Sequence, residues 1–172
     1  MGWGYQPCKT GIDIMLFEQF EIDVRDQLIQ SLGSGVEVEL EPEVEGQNKT
    51  PFAKPRVSIL FDQSEFEKQL STQYIGQSET GRCAIIIRSR KLRGPDGIYT
   101  TTENVRISIL GFAPTNWSKI WLQKFVFLKK ENGLWEYALI IASKSMVVED
   151  APADTGPTLQ SATATYTDSQ YN

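Results

Sequence analysis

The sequence predicts an α+β fold: a mixed or antiparallel sheet of about five strands, with two helices packed on one face. A long inter-strand insertion and extended terminal arms complete the expected architecture. Three observations predict it. Residues 119–146 read KIWLQKFVFLKKENGLWEYALIIASKSM, two aromatic and β-branched runs flanking Asn132-Gly133. Asn-Gly between two such runs is a strong β-hairpin signal. Phe17, Phe20, Val24, Leu28 and Leu32 recur at three-to-four spacing, the apolar stripe of an amphipathic helix. Residues 36–40 alternate strictly as Val-Glu-Val-Glu-Leu, the pattern of a half-buried strand.

The expected domain runs over residues 13–149, with an arm at 1–12, an insertion at 62–82 and a further arm at 150–172. The 172 residues suffice for one domain with a real core. Hydrophobic residues make up 40% and charged residues 23%, the balance of an ordinary globular protein. No apolar run approaches the roughly 20 residues that a membrane helix needs, so no membrane partner is expected. The start, MGWGYQPCKTG, lacks the charged beginning and apolar block of a signal peptide. The chain is therefore expected to be made and kept in a cytoplasm. Cys8 and Cys83 have no metal-type spacing and read as reduced thiols, with a disulfide as the lesser alternative.

In chain order, residues 1–12 show no periodicity, yet Trp3 and Tyr5 need a place to dock, on the parent domain or on a neighbour. A helix over residues 13–32 follows and stops at Gly33-Ser34-Gly35, where glycine reaches the left-handed cap conformation cheaply. Glu18, Asp23, Asp26 and Gln27 read as its solvated face. The strand at 36–40 turns Val36, Val38 and Leu40 inward and Glu37, Glu39 and Glu41 outward, and the acidic run continues to Glu43 and Glu45. Asn48-Lys49-Thr50 fits a glycosylation sequon in a loop, but a chain without a secretion signal does not meet that machinery.

Pro55 opens a second strand at 56–61, and the polar stretch 62–82 reads as an insertion. The third strand, 83–89, is apolar on both faces across Ala84-Ile85-Ile86-Ile87 and is expected to be central. Arg82, Arg88, Arg90, Lys91 and Arg93 make its ends basic. After the turn at 94–97, Ile98, Thr102, Val105 and Ile109 share a helical face, although Thr100, Thr101, Thr102, Val105, Ile107 and Ile109 are β-branched and weak helix formers. The hairpin at 119–146 is expected to form the middle of the sheet. Beyond residue 149 the composition shifts to Ala, Thr, Ser, Pro and Gly. Such a segment is expected to order only on neighbouring subunits, with Tyr166 and Tyr171 as its aromatic contacts.

The chemistry of the sequence excludes more than it offers. No histidine is present, which removes the commonest general base and the commonest zinc ligand. No serine sits in a Gly-x-Ser-x-Gly elbow, and Gly76–Gly81 is not a phosphate loop. Cys83 in an apolar strand reads as inert. The row Glu37, Glu39, Glu41 offers a hard cation weak binding at most and reads as an exposed strand face. No catalytic residue, cofactor or metal is expected. The net charge of −5 and pI near 4.9 disfavour sequence-independent nucleic-acid binding.

One pattern invites a contact hypothesis. Glu37, Glu39 and Glu41 form an acidic row, while Arg88 and Arg90 close the third strand with positive charge. These groups either pair across one sheet, meet between copies in a head-to-tail contact that closes into a ring, or stand as scattered surface charge.

The helix EQFEIDVRDQLIQSL, the strand VEVEL and the proline-led strand PRVSILFD are followed by CAIIIRSR, TTENVRISILGFAP and the hairpin ending LWEYALIIA. In this order they resemble the small tail-terminator proteins of Mu-like contractile-tailed phages and the related caps of phage-derived contractile injection systems. Gly111-Phe112 and Asn132-Gly133-Leu134-Trp135 are the most family-like points, and the resemblance spans residues 17–149. It implies a hexameric ring, a homo-oligomer, on a finished tail tube. The ring stops further tube subunits from adding, joins the tail to the neck and, in a contractile tail, holds the last sheath ring. The implied partners are the tail tube protein, the sheath protein and the neck proteins. DNA passes through the lumen without specific binding, and the acidic row is a candidate for the lumen wall. The implied location is the tail–neck junction of a virion, with no catalysis. The alternatives are a head–tail connector or neck adaptor ring, and a monomeric ligand-binding α+β domain.

Overall fold

The computed structural model describes residues 16–43, 53–69 and 76–148. Trp3, Tyr5, Cys8, the sequon at 48–50, Tyr166 and Tyr171 lie outside the described residues.

Helix α1 (Leu16–Leu32) is followed by a single tight turn at Gly33–Gly35 and strand β1 (Glu37–Leu40). Strands β2 (Arg56–Phe66) and β3 (Gly76–Ser89), helix α2 (Ile98–Ile109), and strands β4 (Trp121–Glu131) and β5 (Leu134–Val148) complete the order. The five strands form one mixed sheet in the order β1-β2-β3-β5-β4. β1 runs parallel to β2, and every other neighbouring pair is antiparallel. The expected α+β class with two helices is what the chain adopts.

Both helices cover the same face. Phe20, Val24 and Leu28 of α1 and Ile98, Val105 and Ile109 of α2 close over Val57, Ile59, Cys83, Ile85, Ile87, Leu139 and Ile141. Burying a side chain of this size contributes roughly 1.5–3 kcal/mol. Phe20 packs edge-on against Phe61 and Trp117, with ring centroids 5.6 and 5.2 Å away. Gly33 takes φ +61 at the end of α1, the left-handed cap its sequence predicts. In α2 the threonines are accommodated: the Thr102 hydroxyl donates to the Ile98 carbonyl at 2.7 Å, so a poor helix former is buried with its polar atom satisfied.

Three expectations need correction. Residues 62–82 are not an insertion, because β2 continues to Phe66 and β3 begins at Gly76. After an irregularity between Phe61 and Gln63, the register resumes with Gln63 opposite Arg82 and Phe66 opposite Glu79. This half of the hairpin has polar side chains that pair laterally, Arg82 with Gln63 and Glu65 and Ser64 with Glu79. Apolar alternation is therefore missing although the backbone is extended. Trp117 is the lid there, and a Cβ on Gly81 would fall 2.6 Å from its ring. Second, the hairpin at 119–146 is not the middle of the sheet: β5 is interior and β4 is an edge. Third, the outer face of α1 is not wholly given to solvent. Asp23 accepts from the Thr115 backbone N–H at 2.7 Å, and Gln27 donates to the Ser108 carbonyl at 3.1 Å.

Candidate assembly surfaces

The sheet face away from the helices carries a row of charge across all five strands. Glu37 on β1 stands opposite Arg56, Arg56 opposite Arg88, Arg88 opposite Glu136, and Glu136 opposite Lys129 on β4. The Arg56 side chain is only 4% exposed and donates from Nε and Nη2 to Glu37 at 3.1 and 2.9 Å, with Glu39 at 3.6 Å. Arg88 grips Glu41 with both terminal nitrogens at 2.9 and 2.8 Å, donates to the Ser58 hydroxyl at 2.7 Å, and lies 3.5 Å from Glu136. Lys129 ends the row 3.7 Å from Glu136.

Two-pronged guanidinium–carboxylate pairing is the strong form of the ion pair. Burial pushes the Glu41 carboxyl up, but Arg88 outweighs it and holds it below its usual range. Burial acts to lower the Arg88 pKa, and Glu41 and Glu136 together raise it. Glu136 and Glu131 hold Lys129 above its ordinary value.

Thus the structure brings Glu37, Glu39, Glu41 and Arg88 into pairs across one sheet. Arg90 is exposed and forms no ion pair among the described residues. The acidic row is not a bare acidic strip, because two arginines lie within it. Arg56, Glu136 and Lys129 were missed in the sequence, since only strand register places them in the row.

Beside these pairs lies a small apolar patch of Ala84, Ala138 and Ile140 with Ile86 against it. The Cys83 thiol, on the other side of the sheet, is fully buried, and burial followed by the charge of Glu21 pushes its pKa far up. It has no nucleophilic character at neutral pH. Among the described residues no group of three or more His, Cys, Asp or Glu is placed to hold a metal ion. Among them, too, no helix is long and apolar enough to cross a membrane.

The opposite end of the sheet differs in kind. α1 lies over β1 and β2, and α2 over β3 and β5, so β4 extends beyond the helix layer. Phe125 and Phe127 stand opposite Leu139 and Tyr137, on the helix side, yet are 40% and 50% exposed. Phe125 stacks on Tyr137 at 4.9 Å, Phe127 meets the same ring edge-on at 5.2 Å, and Lys130 caps Trp135 at 4.3 Å. Burial and the neighbouring Tyr99 raise the Tyr137 pKa. An open apolar groove separates β4 from α2, lined by Tyr99, Thr102, Arg106, Leu122 and Phe125. Two register shifts, at Gln123 and Leu128, bend the strand. The result is an α+β scaffold with one end of its sheet held in paired charge and an aromatic strand edge at the other.

The chain belongs to the Gp37 protein family, whose model matches residues 26–167. This is a family of phage-related structural proteins. No curated protein matches the chain. Among solved structures it is similar to a chain of the virion of a native gene transfer agent particle, with 13% identity and a TM-score of 0.43, covering 74% of this chain and 94% of that one. At that level of likeness nothing about function is carried across.

Proposed function

We propose that this Gp37-family protein is a tail terminator. Its copies form a ring, expected to be hexameric, on the end of a completed tail tube at the tail–neck junction of a phage-type particle. The ring blocks addition of further tube subunits and presents a surface to the neck and, in a contractile tail, to the last sheath ring. DNA passes through the ring without specific binding. Membership of the Gp37 family supports a structural role, and the order of elements supports the terminator within it.

The observation that carries the reading is the asymmetry of the sheet. A cap needs one surface that engages neighbours and another that offers no template for further growth. The β4 edge, with Phe125, Phe127 and Leu128 exposed, suits the first role. The β1 end, short and pinned by ion pairs, suits the second. Negative-stain imaging of the purified protein, alone and with tail tubes, tests this. Six-fold rings and density confined to one tube end are expected. A monomer that leaves tubes free to lengthen overturns the proposal, and density on the portal side instead identifies a neck adaptor.

A further inference from the structure

The outer edge of β4 is the longest open feature of the sheet, eleven residues with β5 on its inner side and no strand on its outer side among the described residues. An edge of this length with apolar side chains is a template for another strand unless something covers or blunts it. Lys124, Lys129 and Lys130 are exposed along it. They oppose pairing with a second β4 edge through like charge, and they favour a segment whose flanks carry acids.

The sequence holds one segment of that charge, whose acids flank an uncharged stretch at 159–167. Residues 149–172 carry Glu149, Asp150, Asp154 and Asp168 and no lysine or arginine. Within them, Ala162, Ala164 and Tyr166 alternate with Ser161, Thr163, Thr165 and Thr167, and no proline follows Pro157. That is the period of a strand, rich in β-branched residues. The other three segments outside the described residues do not match, and residues 70–75 hold no charged residue. Residues 1–15 hold one lysine and one aspartate, and residues 44–52 hold one glutamate, Glu45, offset by Lys49.

We propose that residues 159–167 of a neighbouring copy add as a sixth strand to the outer edge of β4, with Tyr166 over the Phe125–Phe127 edge. The inference rests on the assembly reading above and names the contact that would hold adjacent copies. Two features favour the neighbour's segment over the chain's own. β5 overruns the start of β4 by six residues, Ser143 to Val148, since Trp121 pairs with Ala142. The flank of that overrun is occupied: the Ser118 N–H donates to the Lys144 carbonyl at 2.7 Å, and the Ser145 hydroxyl to the Asn116 carbonyl at 2.8 Å. A returning segment of the same chain must pass around this loop and then run parallel to β4. A neighbour's segment is free to pair antiparallel, the slightly more stable arrangement. Residues 149–158, at about 3.3 Å each, reach roughly 30 Å from Val148, enough to bridge adjacent subunits.

The test uses full-length chains with Cys8→Ser, leaving Cys83 fully buried. Two differently tagged copies are co-expressed, one with Phe127→Cys and one with Ala164→Cys, which shares the face of Tyr166, and then oxidised. A disulfide between the two tagged chains is expected. In the otherwise unaltered protein, Lys124→Glu with Lys130→Glu should weaken assembly about tenfold on a sizing column. Adding Asp154→Lys and Asp168→Lys should restore it. A disulfide that forms only when both cysteines sit in one chain identifies the chain's own segment as occupant and overturns the proposal. No disulfide in a protein that still assembles overturns this contact but leaves the ring standing. No disulfide in a protein that is monomeric removes both.

Discussion

The two ends of this sheet are made from similar strands and reach opposite conditions. At the β1 end, carboxylates that read in the sequence as an exposed strand face are paired, because Arg56 and Arg88 lie under Glu37, Glu39 and Glu41. At the β4 end, aromatic side chains expected in the middle of the sheet are half exposed, because the helix layer stops at β5. Alternation states that a strand has two faces. It does not state how far the covering layer extends.

The largest expected contrast lies between two phenylalanines. Phe20→Ala, beneath α1, should cost about 3–5 kcal/mol of stability, the usual result of emptying a packed aromatic site. Phe125→Ala, on the open edge, should cost about 1 kcal/mol or less and act instead on assembly. Urea midpoints at unchanged slope check both. A similar loss at the two sites would show that the edge is as well packed as the core.

Next in size is Arg88→Ala, which leaves Glu41 and Glu136 without their common partner. A loss of about 2–4 kcal/mol is expected. A loss below about 1 kcal/mol would mean that the row is a solvated surface feature. A smaller effect belongs to Glu41→Gln, and it depends on pH. The folded-state carboxyl titrates below its unfolded value, so its contribution is present above the ordinary carboxylate pKa of 4.5 and is lost as pH falls through the folded value. The variant should be less stable than the parent by about 1 kcal/mol at pH 7, after allowing for the water that reaches the pair. The two should converge in acid below that pKa. Constant separation down to acid pH would assign the effect to packing. The smallest expected effect is that of Lys129→Ala, an exposed end of the row, whose midpoint should match the parent's.

Much of the fold was legible in the residues. Phe20, Val24 and Leu28 announce α1, Ile98, Val105 and Ile109 announce α2, and the glycine turns end elements where conformation demands. The strand ends were not legible, because Gln63, Glu65 and Arg82 satisfy one another sideways and leave no apolar period. The sheet order was not legible either: Phe125 and Phe127 alternate in the same way at an edge as in a centre. For the candidate surface, the acidic row and Arg88 could be read as complementary. Arg56, Glu136 and Lys129 could not, since a cross-strand neighbour is fixed by register, and register follows from turn and bulge geometry distant from the pair.

Cys83 gives the molecule an internal clock. Its sulfur sits in the middle strand under both helices, shut off from solvent and unwilling to ionise. With Cys8 replaced, a thiol-directed dye therefore waits for that strand to separate from its neighbours, and the rate of colour development counts openings of the whole domain. Assembly that seals the sheet should slow this clock, with no reporter attached at the contact itself.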